Sequence, residues 1–334
     1  MRPVSRLIVP LALLASTAAR TVRAQNPDLA LSRAERDSVL ATYHQVFPIW
    51  GRKAIERGFL LPLPVGLNIN TVYIDQDIAL SQLGLSTGSN PVQPVSFITL
   101  GDALSRVFTG NLRADLWVLP FLNVYGMVGQ ARSETTVPIT DPVQFTSQVN
   151  QTGTYAGVGL TGNIGVKHNW LAVDVNWSWI NLEKFVQPVQ GRVLGIRYGR
   201  SFRVGTHARA NGWIGTQNQK IETNTTGSIA LNEALPPDVI DTLQSRLNNY
   251  QNSSWYQNLG PAGQRLADSL VAAINNANLG STIINYQLNK KPADPWNMIV
   301  GGSYEPTRHW AFRGEVGFIG RFQVLLVGNY RFGL

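Results

Sequence analysis

Apolar and polar residues alternate with a period of two along most of the chain after about residue 65. In the final run, Phe322–Leu334, the even positions carry mostly large apolar side chains, whereas the odd positions include Gln323 and Arg331. The central runs Ala156–Val166 and Leu171–Trp179 show the same rhythm. Such alternation is typical of strands with one apolar and one polar face. The pattern therefore predicts an all-β protein.

The lengths of the links between these runs suggest an up-and-down order of strands. The first strand is predicted to end near Asp75. Short turns are predicted at four places: near Pro120, His168, Arg203 and Pro306. Long connections are predicted at three places: about 78–104, 136–153 and 222–295. This arrangement gives ten strands, and twelve if Val95–Leu100 and part of Ser281–Leu288 also pair.

The composition points to a membrane. The chain has 334 residues, of which 44% are hydrophobic and only 14% are charged, whereas soluble domains average about 25% charged residues. After residue 24, no run reaches the roughly 18 apolar residues of a membrane-spanning helix. A closed barrel is the other structure that satisfies every backbone group in lipid. We therefore expect a transmembrane antiparallel up-and-down β-barrel over residues 61–334.

The first sixty residues are predicted to lie outside the barrel. Residues 1–24 have the arginines, apolar run and small-residue cleavage site of a secretory signal peptide. Residues 25–60 form a periplasmic segment, in which Ser32 and Glu35 have capping-box spacing and begin a helix to about Gln45. This segment either covers the barrel mouth or enters the lumen as a plug. The chain has no cysteine, which excludes a lipoprotein anchor and a disulfide framework.

The connection 222–295 is predicted to be a partly helical loop on the outer side. Pro236 opens a predicted helix through Tyr250, and Pro261 opens another through Asn276. A helical hairpin here would act as a lid over the barrel mouth. Alternatively, the loop binds a surface partner.

Several segments carry a family resemblance: Leu112–Gly126 (LRADLWVLPFLNVYG), Gly212–Gly215 (GWIG), and Pro295–Asn297 leading to Tyr330–Phe332. They resemble a family of poorly characterised bacterial outer-membrane β-barrel proteins, often labelled putative transporters. The resemblance implies a Gram-negative outer-membrane location and contact with its lipid, but no catalytic residues. The last strand also resembles the signal read by the barrel assembly machinery, with Leu334 where Phe is usual.

The predicted inward faces carry charges that are candidates for lumen or selectivity roles. These residues are Arg113, Asp115, Asp174, Arg197, Arg209, Arg313, Glu315 and Arg331. Asparagines share the same faces: Asn111, Asn163, Asn176, Asn211 and Asn329. One interpretation is that the charges pair and fill the lumen, because unpaired buried charges are costly. The other is a narrow pore whose arginines favour anions, because rings of charged side chains set selectivity.

Other kinds of function have weaker support. The four histidines, His44, His168, His207 and His309, are predicted to be turn or lumen residues and lack the neighbours that a hydrolase needs. No metal or cofactor motif appears. The formal charge of +8 includes four arginines of the signal peptide, and no basic cluster with interleaved aromatics predicts nucleic-acid binding.

The resulting expectation is a narrow passive channel for small polar or anionic solutes. The alternative is a non-conducting structural or surface-interaction barrel with a packed polar lumen. An outer-membrane barrel hydrolase is the third hypothesis.

Overall fold

The computed structural model describes residues 31–88, 90–141, 143–166, 168–205, 208–221, 224–276 and 281–333. The predicted signal peptide, the first residues of the segment that follows it, and His207 lie outside the described residues.

The described chain consists of fourteen strands and six α-helices. The strands are β1 (Val65–Thr87), β2 (Gln93–Pro94), β3 (Thr99–Leu100), β4 (Ala103–Leu119), β5 (Leu122–Asp141), β6 (Phe145–Val166), β7 (Asn169–Leu182), β8 (Val189–Val204), β9 (Ala208–Ile221), β10 (Asn224–Ala230), β11 (Ile283–Pro292), β12 (Trp296–Glu305), β13 (Trp310–Ile319) and β14 (Arg321–Phe332). The helices are α1 (Arg33–Ala41), α2 (Gly51–Glu56), α3 (Leu231–Ala234), α4 (Ile240–Arg246), α5 (Ser254–Gln257) and α6 (Pro261–Asn275).

Ten strands close into an antiparallel barrel, as the alternation predicted. The ring runs β1, β4, β5, β6, β7, β8, β9, β12, β13 and β14, and β14 pairs with β1. Closure joins the register pairs Val65 with Phe332 and Gln76 with Arg321. Closing the ring leaves no free strand edge, which is what lipid requires.

The outer face of the ring is an apolar belt. Exposed side chains of this belt include Leu67, Ile69, Leu112, Val128, Val158, Leu160, Ile214, Val300, Val316 and Leu326. Near the β12–β13 turn, the belt has an aromatic cluster in which the rings of Trp310 and Tyr330 lie 5.0 Å apart. Water-soluble monomers do not expose apolar surface on this scale, whereas membrane barrels carry such a band flanked by aromatic girdles. The barrel therefore spans a membrane. No helix in the described chain has the length and apolarity to cross one.

The barrel wall continues beyond the belt into a part that we call the outer extension. It consists of β1 from Ile78 to Thr87, the antiparallel pair of strands β10 and β11, and the facing ends of β5 and β6. Along this part of β1, β11 takes the place of β14 as the strand partner. The β13–β14 hairpin ends at the tight turn of Gly320, which has φ 90°.

The outer extension corrects two predicted connections and one strand end. The predictions of loops over 78–104 and 136–153 were wrong for much of these ranges, because β1 continues to Thr87 and β5 and β6 extend to Asp141 and from Phe145. The first strand therefore does not end near Asp75. Of the segments proposed as extra strands, Thr99–Leu100 pairs as β3 and residues 283–288 pair as part of β11, but both pair with strands of the outer extension and leave the ring at ten.

The long insert folds as a cap of short helices on the outer extension. Helix α6 confirms the predicted helix from Pro261. The single helix predicted from Pro236 to Tyr250 is shorter: a 3-10 turn at Pro237–Val239 leads into α4, which ends at Arg246. Apolar residues of the cap and of the strand ends form one buried cluster: Leu85, Val143, Ile229, Leu231, Leu235, Leu243, Leu247, Leu266, Val271, Ala273, Ile274 and Ile284.

The N-terminal segment lies across the opposite mouth of the barrel. The capping box is present, with Ser32 N donating to Glu35 Oε2 at 2.8 Å, although helix α1 ends at Ala41, before Gln45. The Ile49 amide donates to the carbonyl of Val118 at the end of β4 at 2.8 Å. None of the described residues before Asn68 lines the lumen cavity. The segment therefore covers the mouth without entering the lumen.

Candidate functional site

The lumen contains a cavity of about 890 Å³ that extends from the covered mouth to the cap. Its lining changes character along the barrel axis. The end near the short turns is lined by charged and amide side chains, which we call the polar floor. The end within the outer extension is lined by aliphatic and aromatic side chains, which we call the apolar chamber.

Glu315 on β13 is the centre of one half of the polar floor. Its carboxylate accepts two hydrogen bonds from the Arg197 guanidinium, at 2.7 and 2.9 Å. Arg313 donates at 2.8 Å and the Trp213 indole N–H donates at 2.8 Å. Glu315 is only 2% exposed. A carboxylate with this many charge-assisted donors is fully compensated for its loss of water.

Asp115 on β4 is the centre of the other half. It accepts hydrogen bonds from Asn68 at 2.8 Å, Asn123 at 2.7 Å and Arg331 at 2.9 Å. Arg331 also donates to the carbonyl of Leu63 at 2.8 Å. These bonds join β1, β4, β5 and β14 across the seam where the ring closes.

Asp174 on β7 links the two halves. It accepts hydrogen bonds from Thr161 at 2.7 Å and from the Tyr125 hydroxyl at 3.0 Å. The Arg113 guanidinium lies over the Tyr125 ring, 3.5 Å from its centroid. The Tyr125 ring in turn lies against Gly159 of the neighbouring strand, where a larger residue would collide with it. The glycine thus allows an aromatic ring to lie flat across the floor.

Most of the charges predicted from the sequence meet in the polar floor. Arg113, Asp115, Asp174, Arg197, Arg313 and Arg331 line the cavity, and Glu315 lies buried behind them. Arg209 does not belong to this group, because it pairs with Glu305 at 3.0 Å near the β8–β9 and β12–β13 turns. Its role in selectivity stays a prediction, as do the roles of the others. Sequence analysis did not identify Asn68, Asn123, Tyr125 and Trp213 as partners of these charges.

The apolar chamber was missed by sequence analysis altogether. Its wall is formed by inward-facing residues of the outer extension and of the adjoining strands: Ile78, Leu80, Val137, Ile139, Phe145, Val149, Val189 and Val193. Its roof is the cap, through Trp255, Leu270, Val271 and Ile274. In the outer extension, the apolar face of each strand is the inner face. This reversal of the alternation is the signal in the sequence that marks the chamber.

One aromatic contact joins the roof to the wall. The Trp255 ring of the cap stacks on Phe97, with the centroids 5.2 Å apart. Phe97 belongs to the stretch between β2 and β3 that fills the wall between β1 and β5, and both rings line the cavity. The Ser147 hydroxyl on β6 also donates to the carbonyl of Ala234 at 2.7 Å. The roof is therefore attached on more than one side.

The histidines within the described chain lie at the mouth or in its turns. His44 is exposed in the N-terminal segment. His309 contacts the carbonyl of Arg331 through Nδ1 at 2.8 Å, and the His168 carbonyl accepts the amide of Ser201 at 2.9 Å. Within the described residues, no three His, Cys, Asp or Glu side chains are grouped as a metal site would need.

No protein-family model matches this chain, and no curated protein matches it. Among solved structures, the β domain of the Bordetella autotransporter BrkA is 8% identical, and the match covers 80% of this chain and 100% of that one with a TM-score of 0.37. OprG from Pseudomonas aeruginosa is 9% identical over 81% of this chain and 98% of its own, with a TM-score of 0.37. The Pseudomonas putida toluene transporter TodX is 7% identical over 92% and 95%, with a TM-score of 0.28. All three are outer-membrane barrels or parts of them, and at such low scores the architecture described above rests on the strand pairing alone.

Proposed function

We propose that this protein is an outer-membrane barrel that binds small apolar molecules in its chamber. The observation that carries the proposal is the apolar half of a cavity of about 890 Å³. Binding sites for small molecules are typically concave, mostly apolar and about 300–1,000 Å³ in volume. The whole cavity, polar floor included, has a volume in this range, and the chamber supplies its apolar lining.

The cavity also argues against a barrel with a purely structural role. A cavity lined by apolar side chains costs the contacts that these side chains would make in a packed core, which lowers stability. A barrel without a ligand would be more stable with larger side chains in this space. The volume is best explained by an occupant that fills it.

The paired charges of the polar floor make a water-filled pore the weaker candidate. Each of the carboxylates Asp115, Asp174 and Glu315 is held by several donors. A hydrated ion would have to replace these bonds in order to pass. The passage of polar or anionic solutes that the sequence suggested stays a prediction.

Binding can be tested with tritiated naphthalene and the purified protein in phosphatidylcholine nanodiscs. We expect saturable binding above that of empty nanodiscs. Val193→Trp should abolish it, because Val193 lines the cavity and the indole would occupy the chamber. Leu194→Trp is the matched control, since the next residue on β8 points away from the cavity and should leave binding unchanged.

One outcome of the binding measurement would overturn the proposal. If the folded protein binds no more naphthalene than empty nanodiscs do, the chamber is not a site for apolar molecules. Equal loss in the two tryptophan variants would show that the effect comes from the barrel as a whole. Heat-modifiable gel mobility verifies that each variant is folded.

A further inference from the structure

Lys290 is a cation that faces the apolar chamber. It lies on β11 opposite Leu80 of β1, and Leu80, Leu288 and Tyr286 line the cavity with it. Its neighbour on the strand, Lys291, is exposed. Lys290 thus belongs to the outer extension, beyond the apolar belt, and its amine points inward among aliphatic and aromatic side chains.

No carboxylate of the described chain forms an ion pair with Lys290. The contact its amine makes is with the face of the Phe185 ring, 4.1 Å from the centroid. Glu233 of the cap forms its ion pair with Lys184 instead. Burial lowers the pKa of Lys290 to about 8, so the amine still carries its charge at neutral pH. A half-buried charge among apolar side chains and without a counterion is costly, and natural structures retain one mainly where it has a function.

A second cation lies below Lys290 on the same side of the cavity. Arg321 pairs in register with Gln76 on β1, four residues before the partner of Lys290, which is a spacing of about 13 Å along a strand. Arg321 is 5% exposed, and its Nη1 has no hydrogen-bond partner in the described structure. It donates through Nε to Gln323 at 3.3 Å. Asp294 lies near enough to act on it electrostatically but forms no ion pair with it within 4.0 Å. Arg321 therefore has a hydrogen-bond donor without a partner at the base of the chamber, below Lys290.

We propose that the ligand of the chamber is an amphipathic anion, with an alkyl chain in the apolar chamber and an anionic headgroup bound by Lys290. The lining of the chamber can bind both the alkyl chain and the charged headgroup of such a ligand. The apolar wall and roof take the chain, and the ligand's negative charge gives the half-buried amine the partner that the protein itself does not supply. This inference rests on the proposed function, and it specifies the class of ligand.

The experiment compares two ligands that share a twelve-carbon chain and differ in the headgroup, which is anionic in one and neutral in the other. Dodecanoate and dodecanol compete with tritiated naphthalene for the protein in phosphatidylcholine nanodiscs at pH 7. We expect dodecanoate to compete about tenfold better than dodecanol, a difference typical of one added charge-assisted hydrogen bond. Lys290→Met should remove this preference and leave naphthalene binding in place. Lys290→Arg should retain it.

Lys220→Met is the matched control. Lys220 lies on β9, is exposed, and does not line the cavity, so the same substitution there should leave the preference for dodecanoate unchanged. A loss of preference in this variant would indicate that surface charge attracts the anion, and it would overturn the role of Lys290.

The remaining outcomes separate this inference from the proposed function. Equal competition by dodecanoate and dodecanol, with naphthalene still bound, would overturn the anion site but not the apolar chamber. A second set of nanodiscs contains phosphatidylglycerol and identifies the source of the ligand. If the anionic lipid weakens the competition by dodecanoate, the headgroup site takes membrane lipid. If it has no effect, the site takes free amphiphiles.

Discussion

Glu315 is the residue on which most of the buried charge in the lumen depends. Replacing it with Gln would leave Arg197 and Arg313 buried without their shared carboxylate. Breaking a buried ion pair on one side typically costs about 3–5 kcal/mol of folding free energy. We expect a loss of this size for Glu315→Gln, measured by urea-induced unfolding in detergent.

Glu305→Gln serves as the comparison. Glu305 pairs with Arg209 at 3.0 Å, and both side chains are 26% exposed. Partly exposed pairs contribute about 1 kcal/mol or less, so we expect a small loss in the same measurement. Equal losses in the two variants would contradict the description of Glu315 as the compensated centre of the floor.

Gly159 provides a second prediction at the residue scale. A methyl group at this position would overlap the Tyr125 ring, so Gly159→Ala should displace the ring and weaken the Tyr125 to Asp174 hydrogen bond. Overpacking of this kind typically costs about 1–3 kcal/mol. Gly162→Ala on the same strand is the control, because the nearest atom to its added methyl group would be 3.9 Å away. The free energy of unfolding in urea should change little there, and a similar loss in both variants would refute the packing argument.

Among the elements, the strands of the membrane belt were predictable and those of the outer extension were not. In β6, Val158 and Leu160 are exposed on the outer face, and a lipid-facing stripe of this kind is easy to read. Towards the other end of the same strand, Phe145 and Val149 face the lumen, and the outer face is polar because it meets water. The alternation persists while its sense reverses, which made these stretches look like loops.

The residues of the polar floor were also predictable only in part. Charged residues on inward faces, such as Arg197 and Glu315, could be assigned to the lumen from the period of two. Their pairing could not, because it depends on which strands meet across the barrel. Lys290 lay within a stretch that the sequence presented as a loop, so nothing marked it as a lumen residue.

The cap is the element that controls access to the chamber. Trp255→Ala removes its stacking on Phe97, and stacked aromatic pairs contribute about 0.5–1.5 kcal/mol beyond the area they bury. We expect faster release of bound naphthalene, with the urea unfolding of the barrel unchanged. Measuring release by dilution of the loaded protein provides the test.

Trp177→Ala is the control for this element, because Trp177 is an exposed aromatic residue of β7 in the membrane belt. Its loss should leave the release rate as it is in the original protein. Unaltered release in Trp255→Ala would mean that the ligand does not pass between the cap and the wall.

At the scale of the whole molecule, the polar floor predicts that the barrel does not conduct ions. In planar bilayers we expect the folded protein to show no steady ion current, since a passing ion would have to break the hydrogen bonds between the paired charges that line this part of the cavity. Replacing Arg197, Arg313 and Glu315 together by alanine removes both arginines with their shared carboxylate and should open discrete conductance steps. A steady anion-selective current through the unaltered protein would contradict this prediction and would support the hypothesis of a polar pore.

The double partnership of β1 determines the order in which the wall can be assembled. On one edge, β1 pairs with β11 along its outer half and with β14 along its inner half. Strand β11 precedes β14 in the chain, so the outer half of the seam can form while the last hairpin is still unpaired. In this order of assembly we expect the β13–β14 hairpin to pair last, between β12 and β1. The hydrogen bond between Asn329 and Asn68 at 2.7 Å, which spans 261 positions of the chain, then marks the moment at which the wall against lipid becomes continuous.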